Sequence, residues 1–156
     1  MPKTSTDAQF DVILQEHRAL RESVTELRRF LRQPCPPPEQ PAASAWAGAL
    51  ADRLVDFRER ARRHFQSEES SGFMDQLGRS TPRATRTIAR MLGEHDRILT
   101  DLRAVLDATT AYARHQPPEH DLRSAVAAVL DRFEQHESDE NDLIQDLVCD
   151  DLGAGD

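Results

Sequence analysis

At 156 residues the chain is long enough to bury a sizeable core and short enough to be a single domain. Hydrophobic residues make up 38% and aromatics only 5%, and Ala, Leu, Arg, Glu and Asp dominate, which favours helix over sheet. A net charge of -8 without a dense Lys/Arg face excludes a nucleic-acid partner, and no apolar run approaches a membrane span, so no membrane partner is expected.

Met1–Asp7 carries no apolar signal region, and the two cysteines, Cys35 and Cys149, make no disulfide framework. Two free thiols in a reducing cytoplasm is the expectation. The Arg58, Arg60, Arg62 and Arg63 run is flanked by acids and reads as a solvated face.

The first helix is expected from the Thr6-Asp7 cap neighbourhood to about Arg32. Its apolar stripe is Phe10, Ile13, His17, Leu20, Val24, Leu27 and Leu31, in steps of 3 and 4 throughout. His17 stands where an aliphatic residue belongs. Gln33–Pro41 is too proline-rich for helix and reads as a stiff connector.

The second helix is predicted over Ala42–Gln76, with the stripe Ala47, Leu50, Leu54, Phe57, Ala61, His64, Glu68 and Ser71. Gly72 weakens its end. Gly78, Thr81 and Pro82 then supply a C-cap, an N-cap and a first helical residue. The third helix runs to about Arg114, striped by Ile88, Met91, His95, Ile98, Leu102, Val105, Thr109 and Tyr112. After His115-Gln116-Pro117-Pro118 the fourth spans about Glu119–Val148, striped by Leu122, Val126, Val129, Phe133, His136, Glu140, Leu143 and Leu147. A frayed tail is expected from Asp150. The fold class is therefore all-α, an antiparallel up-down-up-down four-helix bundle.

Within this frame a pattern repeats. His64-x-x-x-Glu68 recurs as His136-x-x-x-Glu140, an offset of 72 residues, and a lone His preceded by Glu recurs as Glu16-His17 and Glu94-His95, an offset of 78. Each His-x-x-x-Glu stacks an imidazole and a carboxylate on one helix face. Each His lies about 11 to 13 residues from the same end of such a bundle, roughly 18 Å at the helical rise, so all four sit at one level.

A single His on an apolar stripe is usually a hydrogen-bonded core residue. Four at one level with two carboxylates are different. Each buried, uncompensated carboxylate costs several kcal/mol, against about 5–15 kcal/mol for a whole fold. Two metal ions resolve the conflict. Imidazole and carboxylate ligands suit iron, with manganese or zinc as substitutes, and the sulfur of most structural zinc sites is missing. Two His per ion, Glu68 and Glu140 as bridges and a bridging oxide or hydroxide leave each ion an open position. Glu16 and Glu94 are candidates to orient an imidazole. Glu69 and Glu137 read first as solvent-facing surface, and either could also orient an imidazole from behind or swap in as a ligand, as candidates of the same grade as Glu16 and Glu94. His115 and His120 are expected to be solvated.

These residues resemble the hemerythrin-like (HHE) family, whose pattern H…HxxxE…H…HxxxE is met by His17, His64, Glu68, His95, His136 and Glu140 across essentially the whole chain. The resemblance implies a non-haem di-iron site on those six residues, bridged by Glu68 and Glu140. Oxygen-carrying members have a second His one turn away on the third helix; here those neighbours are Met91 and Leu99. That departure points away from reversible oxygen carriage and towards the sensor and stress-related members. Two functions follow. One is a module that binds or senses dioxygen, nitric oxide or iron; the other is an oxidoreductase acting on peroxide or nitric oxide, or an iron–sulfur repair factor. A small diatomic ligand or peroxide is the expected partner in either case.

Overall fold

The structure is a computed structural model that describes residues 5–79 and 81–153. It comprises α1 (Ser5–Leu31), α2 (Pro41–Ser70), the short α3 (Phe73–Gly78), α4 (Pro82–Ala113) and α5 (Leu122–Gly153), with no strand among the described residues. The side-chain expectations at Thr6, Asp7 and Leu147, and the tail residues 154–156, lie outside the described residues. The described part of the expected frayed tail is helix as far as Gly153.

Local chemistry explains most boundaries. Pro41 opens α2, where its missing N–H costs nothing. Thr81 Oγ1 accepts the Ala84 N–H at 3.0 Å and Pro82 follows. Asp121 accepts the Ser124 N–H at 3.0 Å, so α5 starts at Leu122 rather than at Glu119. The end of α4 closes with Gln116 N–H on the Ala111 carbonyl and His115 N–H on the Tyr112 carbonyl, with His115 left-handed at φ 64. His115, expected to be merely solvated, bonds through Nδ1 to the Pro38 carbonyl at 2.9 Å.

The second predicted helix is two. α2 stops at Ser70 and Gly72 turns the chain at φ +76, so α3 leaves in a new direction. A Cβ at Gly72 would meet no neighbour within 4 Å, so only the backbone conformation penalises a side chain there. Gly72→Ala should therefore lower stability by about 1–2 kcal/mol, read as a shift in the denaturant midpoint.

α2 packs on α1 and α4, and α5 packs on α4 and α1. The buried residues follow the predicted stripes closely. Two apolar clusters result. The larger spans Leu20 to Leu31 of α1, Ala43 to Phe65 of α2, Ile98 to Tyr112 of α4 and Leu122 to Phe133 of α5. The smaller joins Ile13, Ile88 and Met91 to Phe73, Met74 and Leu77 of α3. Phe73 and Met74 fall in the last turns of the predicted second helix and Leu77 just past its end; instead α3 carries all three and buries them against α4. Between the clusters lies a polar layer. At the far end, Tyr112 donates to the Pro36 carbonyl at 2.5 Å and holds the proline connector down.

Candidate metal centre

The polar layer contains all six residues singled out in the sequence. His17, His64, Glu68, His95, His136 and Glu140 are each no more than 2% exposed. α1 and α4 contribute one His each, and α2 and α5 a His and a Glu one turn apart. On α1, His17 sits between Ile13 of the smaller cluster and Leu20 of the larger, and His95 sits likewise between Met91 and Ile98.

The inward nitrogens converge on the carboxylates. His17 Nε2 lies 3.1 Å from Glu140 Oε1 and 3.4 Å from Glu68 Oε1. His64 Nε2 lies 2.5 Å from Glu68 Oε1, and His95 Nε2 lies 3.2 Å from Glu68 Oε2. Glu140 Oε2 is 3.7 Å from His136 Nε2. The donors fall into two overlapping sets whose atoms lie within 4.8 Å of one another. One is His17, His64, Glu68 and Glu140; the other is Glu68, His95 and His136.

The outward nitrogens are held from behind. His64 Nδ1 bonds Glu16 at 2.7 Å, His136 Nδ1 bonds Glu94 at 2.7 Å and His95 Nδ1 bonds Glu69 at 2.9 Å. Arg90 in turn holds Glu94 at 2.8 Å. Donation from Nδ1 to a carboxylate leaves the Nε2 lone pair pointing inward, the tautomer a cation requires. Glu69 is about half exposed yet reaches His95, so its side chain spans the surface and the site.

A cation fits this donor set better than protein groups alone. His64 Nε2, Glu68 Oε2 and both Glu140 oxygens are buried and, close as they lie to the other groups of the cluster, meet none of the described residues in hydrogen-bond geometry. His95 Nε2 and His136 Nε2 face each other at 3.1 Å, two lone pairs with nothing between them when both Nδ1 atoms donate. Unmet buried groups of this kind are costly, and a positive ion among them satisfies all of them together.

Electrostatics tell the same story. Burial pulls the His17 imidazole down, but the Glu140 and Glu68 carboxylates beside it outweigh burial and raise it to about 10. Burial, with the charge of Glu68, pushes Glu140 up to about 7. Burial would raise Glu68 too, but His17, His64 and His95 hold it well below the ordinary carboxylate range. Without metal, the site keeps charge near neutrality by protons.

That has a sign. The His17 contribution to stability is complete below about pH 6.5 and is lost as pH rises through about 10. Glu140 works in the same direction, since its folded form favours the proton and is penalised as pH rises through about 7. Bound cations reverse this, because acid protonates the imidazoles and displaces them. Chelation should therefore lower the melting temperature most on the alkaline side. Melting curves with and without chelator from about pH 5 to about pH 10 test it, and coincident curves would exclude a buried cation site.

One neighbour was not anticipated, nor was the burial of another. Phe65 stacks flat on His95, ring centroids 4.0 Å apart and planes 8° from parallel. Glu137, read first as a surface carboxylate with a role beside the imidazoles left open, is only 4% exposed. It lies about 60° around the helix from Glu140, within the width of a buried face rather than outside it. Burial pushes its carboxyl up, with His17 and His64 pulling it part of the way back. The 72-residue offset pairs these two positions with each other, and that was the signal in the sequence.

Residues 6–148 match the family described as hemerythrin HHE cation binding domain. The fold and this buried cluster thus define a helical cation-binding domain. The chain belongs to the hemerythrin HHE family. Comparison with curated proteins and with solved structures found no match. No helix among the described residues is long and apolar enough to cross a membrane.

Proposed function

We propose that the chain is a non-haem di-iron protein that binds or senses a small ligand such as dioxygen, nitric oxide or iron itself. The observation that carries the reading is the pair of overlapping donor sets sharing Glu68. In this reading His17 and His64 would hold one ion, His95 and His136 the other, and Glu68 and Glu140 would serve both, with an oxide or hydroxide completing the centre. Zinc or manganese are the substitutes. When bound, the irons supply a redox-capable centre with room for an exogenous ligand. The chain's own residues orient the imidazoles through Glu16, Glu69 and Glu94, and keep bulk water out with the two apolar clusters.

Further parts of the reading are architectural. We take the four long helices as an up-down-up-down antiparallel bundle in one domain, with α3 as a plug beneath the site. The supports are the short connections and the smaller cluster, in which Ile13 of α1, Met91 of α4 and, partly buried, Leu143 of α5 meet α3. A cytoplasmic protein without membrane or nucleic-acid partner is the companion proposal.

A second reading, an oxidoreductase acting on peroxide or nitric oxide or a factor repairing iron–sulfur clusters, is favoured by one feature. Glu68, His95 and His136 form a close set of three donors against four in the other half, with Glu140 farther off at 3.7 Å from His136, and Met91 and Leu99 beside His95 add no donor. Metal analysis and an optical spectrum of protein from iron-supplied cells test the first reading. Two irons per chain with near-ultraviolet charge-transfer absorption are expected; one tightly bound ion or none would overturn it. Peroxide and nitric oxide turnover by the loaded protein separates the two readings.

A further inference from the structure

The two halves of the centre repeat in sequence but not in their surroundings. Behind His95 stand Phe65, stacked on the ring, Leu99, packed against the larger cluster, and Glu69, bonded to Nδ1. The offsets of 72 and 78 residues place Glu137, Arg21 and Asn141 at the matching positions behind His17. An apolar seal on one side is thus polar on the other. His17 Nδ1 is also the one outward imidazole nitrogen of the four with no hydrogen-bond partner among the described residues.

On that side α1 and α5 leave a groove of about 410 Å³ that Arg21, Glu137, Asn141 and Asp142 help to line. Glu137 lies at its buried edge, 4% exposed, and its Oε1 is buried with no hydrogen-bond partner. Arg28, also on the groove, is occupied by Asp131 at 2.7 Å and Glu134 at 2.9 Å. Exposed Arg21 reaches back to the His17 carbonyl at 3.4 Å, and no carboxylate among the described residues lies within 4.0 Å of it. A buried carboxylate with an unmet oxygen is costly to keep. The His17 and His64 imidazoles, part of the four-donor set, act on its charge from within the bundle.

We propose that this groove is the port by which a hydrated divalent cation reaches the centre. Glu137 is the transit ligand that receives the cation, sheds part of its water and passes it to His17, His64, Glu68 and Glu140. The four-donor set fills first, because it lies directly inside the port and offers the most ligands. The His95 and His136 position, sealed from outside by Phe65 and Leu99, fills second from within. This inference rests on the dinuclear reading above, and its test separates the two.

Metal-free protein is mixed anaerobically with cobalt(II) alone, and the rise of the ligand-field absorption is followed by stopped flow. Final cobalt per chain is measured by elemental analysis. Glu137→Gln and Glu137→Leu should both reach the wild-type content of two ions but fill about tenfold more slowly, the scale of an electrostatic steering effect. Arg21→Gln, which removes the exposed cation at the rim, should fill faster, and this holds the test open should a Glu137 variant fail to fold. Unchanged rates at full content in all three variants would place the port elsewhere and leave the dinuclear centre standing. A lower final content in the Glu137 variants would make Glu137 a permanent ligand and overturn its transit role. Wild-type protein that takes up fewer than two cobalt ions would sink the dinuclear reading and the port with it.

Discussion

Glu68→Ala and Glu140→Ala should each lose at least one metal ion and destabilise the loaded fold by several kcal/mol. Glu68 faces three imidazoles, at 3.4, 2.5 and 3.2 Å from His17, His64 and His95. Its two oxygens face different imidazoles, so its removal takes a donor from each of the two sets at once. Glu140 lies 3.1 Å from His17 and 3.7 Å from His136, again spanning both halves. Without either carboxylate, two cations would share one protein counter-charge in a buried site. Glu69→Ala is the contrast. Its side chain is 48% exposed and touches only the outer nitrogen of His95. It should keep both ions, change stability by less than about 1 kcal/mol and weaken binding by a modest factor. Metal content and melting temperature, measured side by side, decide the matter. If Glu69→Ala empties the site while Glu68→Ala does not, the assignment of the bridging residues is wrong.

Phe65→Ala should cost about 3–5 kcal/mol, the usual range for deleting a buried ring. Phe65 is 2% exposed and touches Phe133 and His136 as well as the face of His95. Its loss removes the wall that fixes the His95 ring plane, so the loaded protein should suffer beyond the cavity term. Phe65→Leu keeps much of the volume and loses the flat face, and should cost less in the metal-free protein while still weakening metal retention. The check is the denaturant midpoint of each variant with and without metal. Equal losses in both states would make Phe65 an ordinary core residue with no hold on His95.

The four long helices, their stripes and the six central residues were legible in the sequence because each depends on local chemistry. Stripe residues recur at helical spacing, Thr81 and Pro82 start a helix where they stand, and a His interrupting an aliphatic stripe is visible without knowing its neighbours. The repeat offsets carried the rest, since two copies of one pattern imply two halves of one site. Three things were decided only in the tertiary structure. Gly72 was read as a weak point but turns the chain, because its left-handed backbone lets α3 fold back and bury Phe73, Met74 and Leu77. Glu69 and Glu137 look alike in sequence, each beside a ligand candidate, and took opposite environments. Glu69 remains half exposed with its carboxylate on His95, whereas Glu137 is closed over at the α1–α5 groove. The pairing of Glu16 with His64 and of Glu94 with His136 joins residues 48 and 42 positions apart. Helical periodicity assigns a residue to a face, but which helix that face meets, and at what height, is set by packing between distant segments.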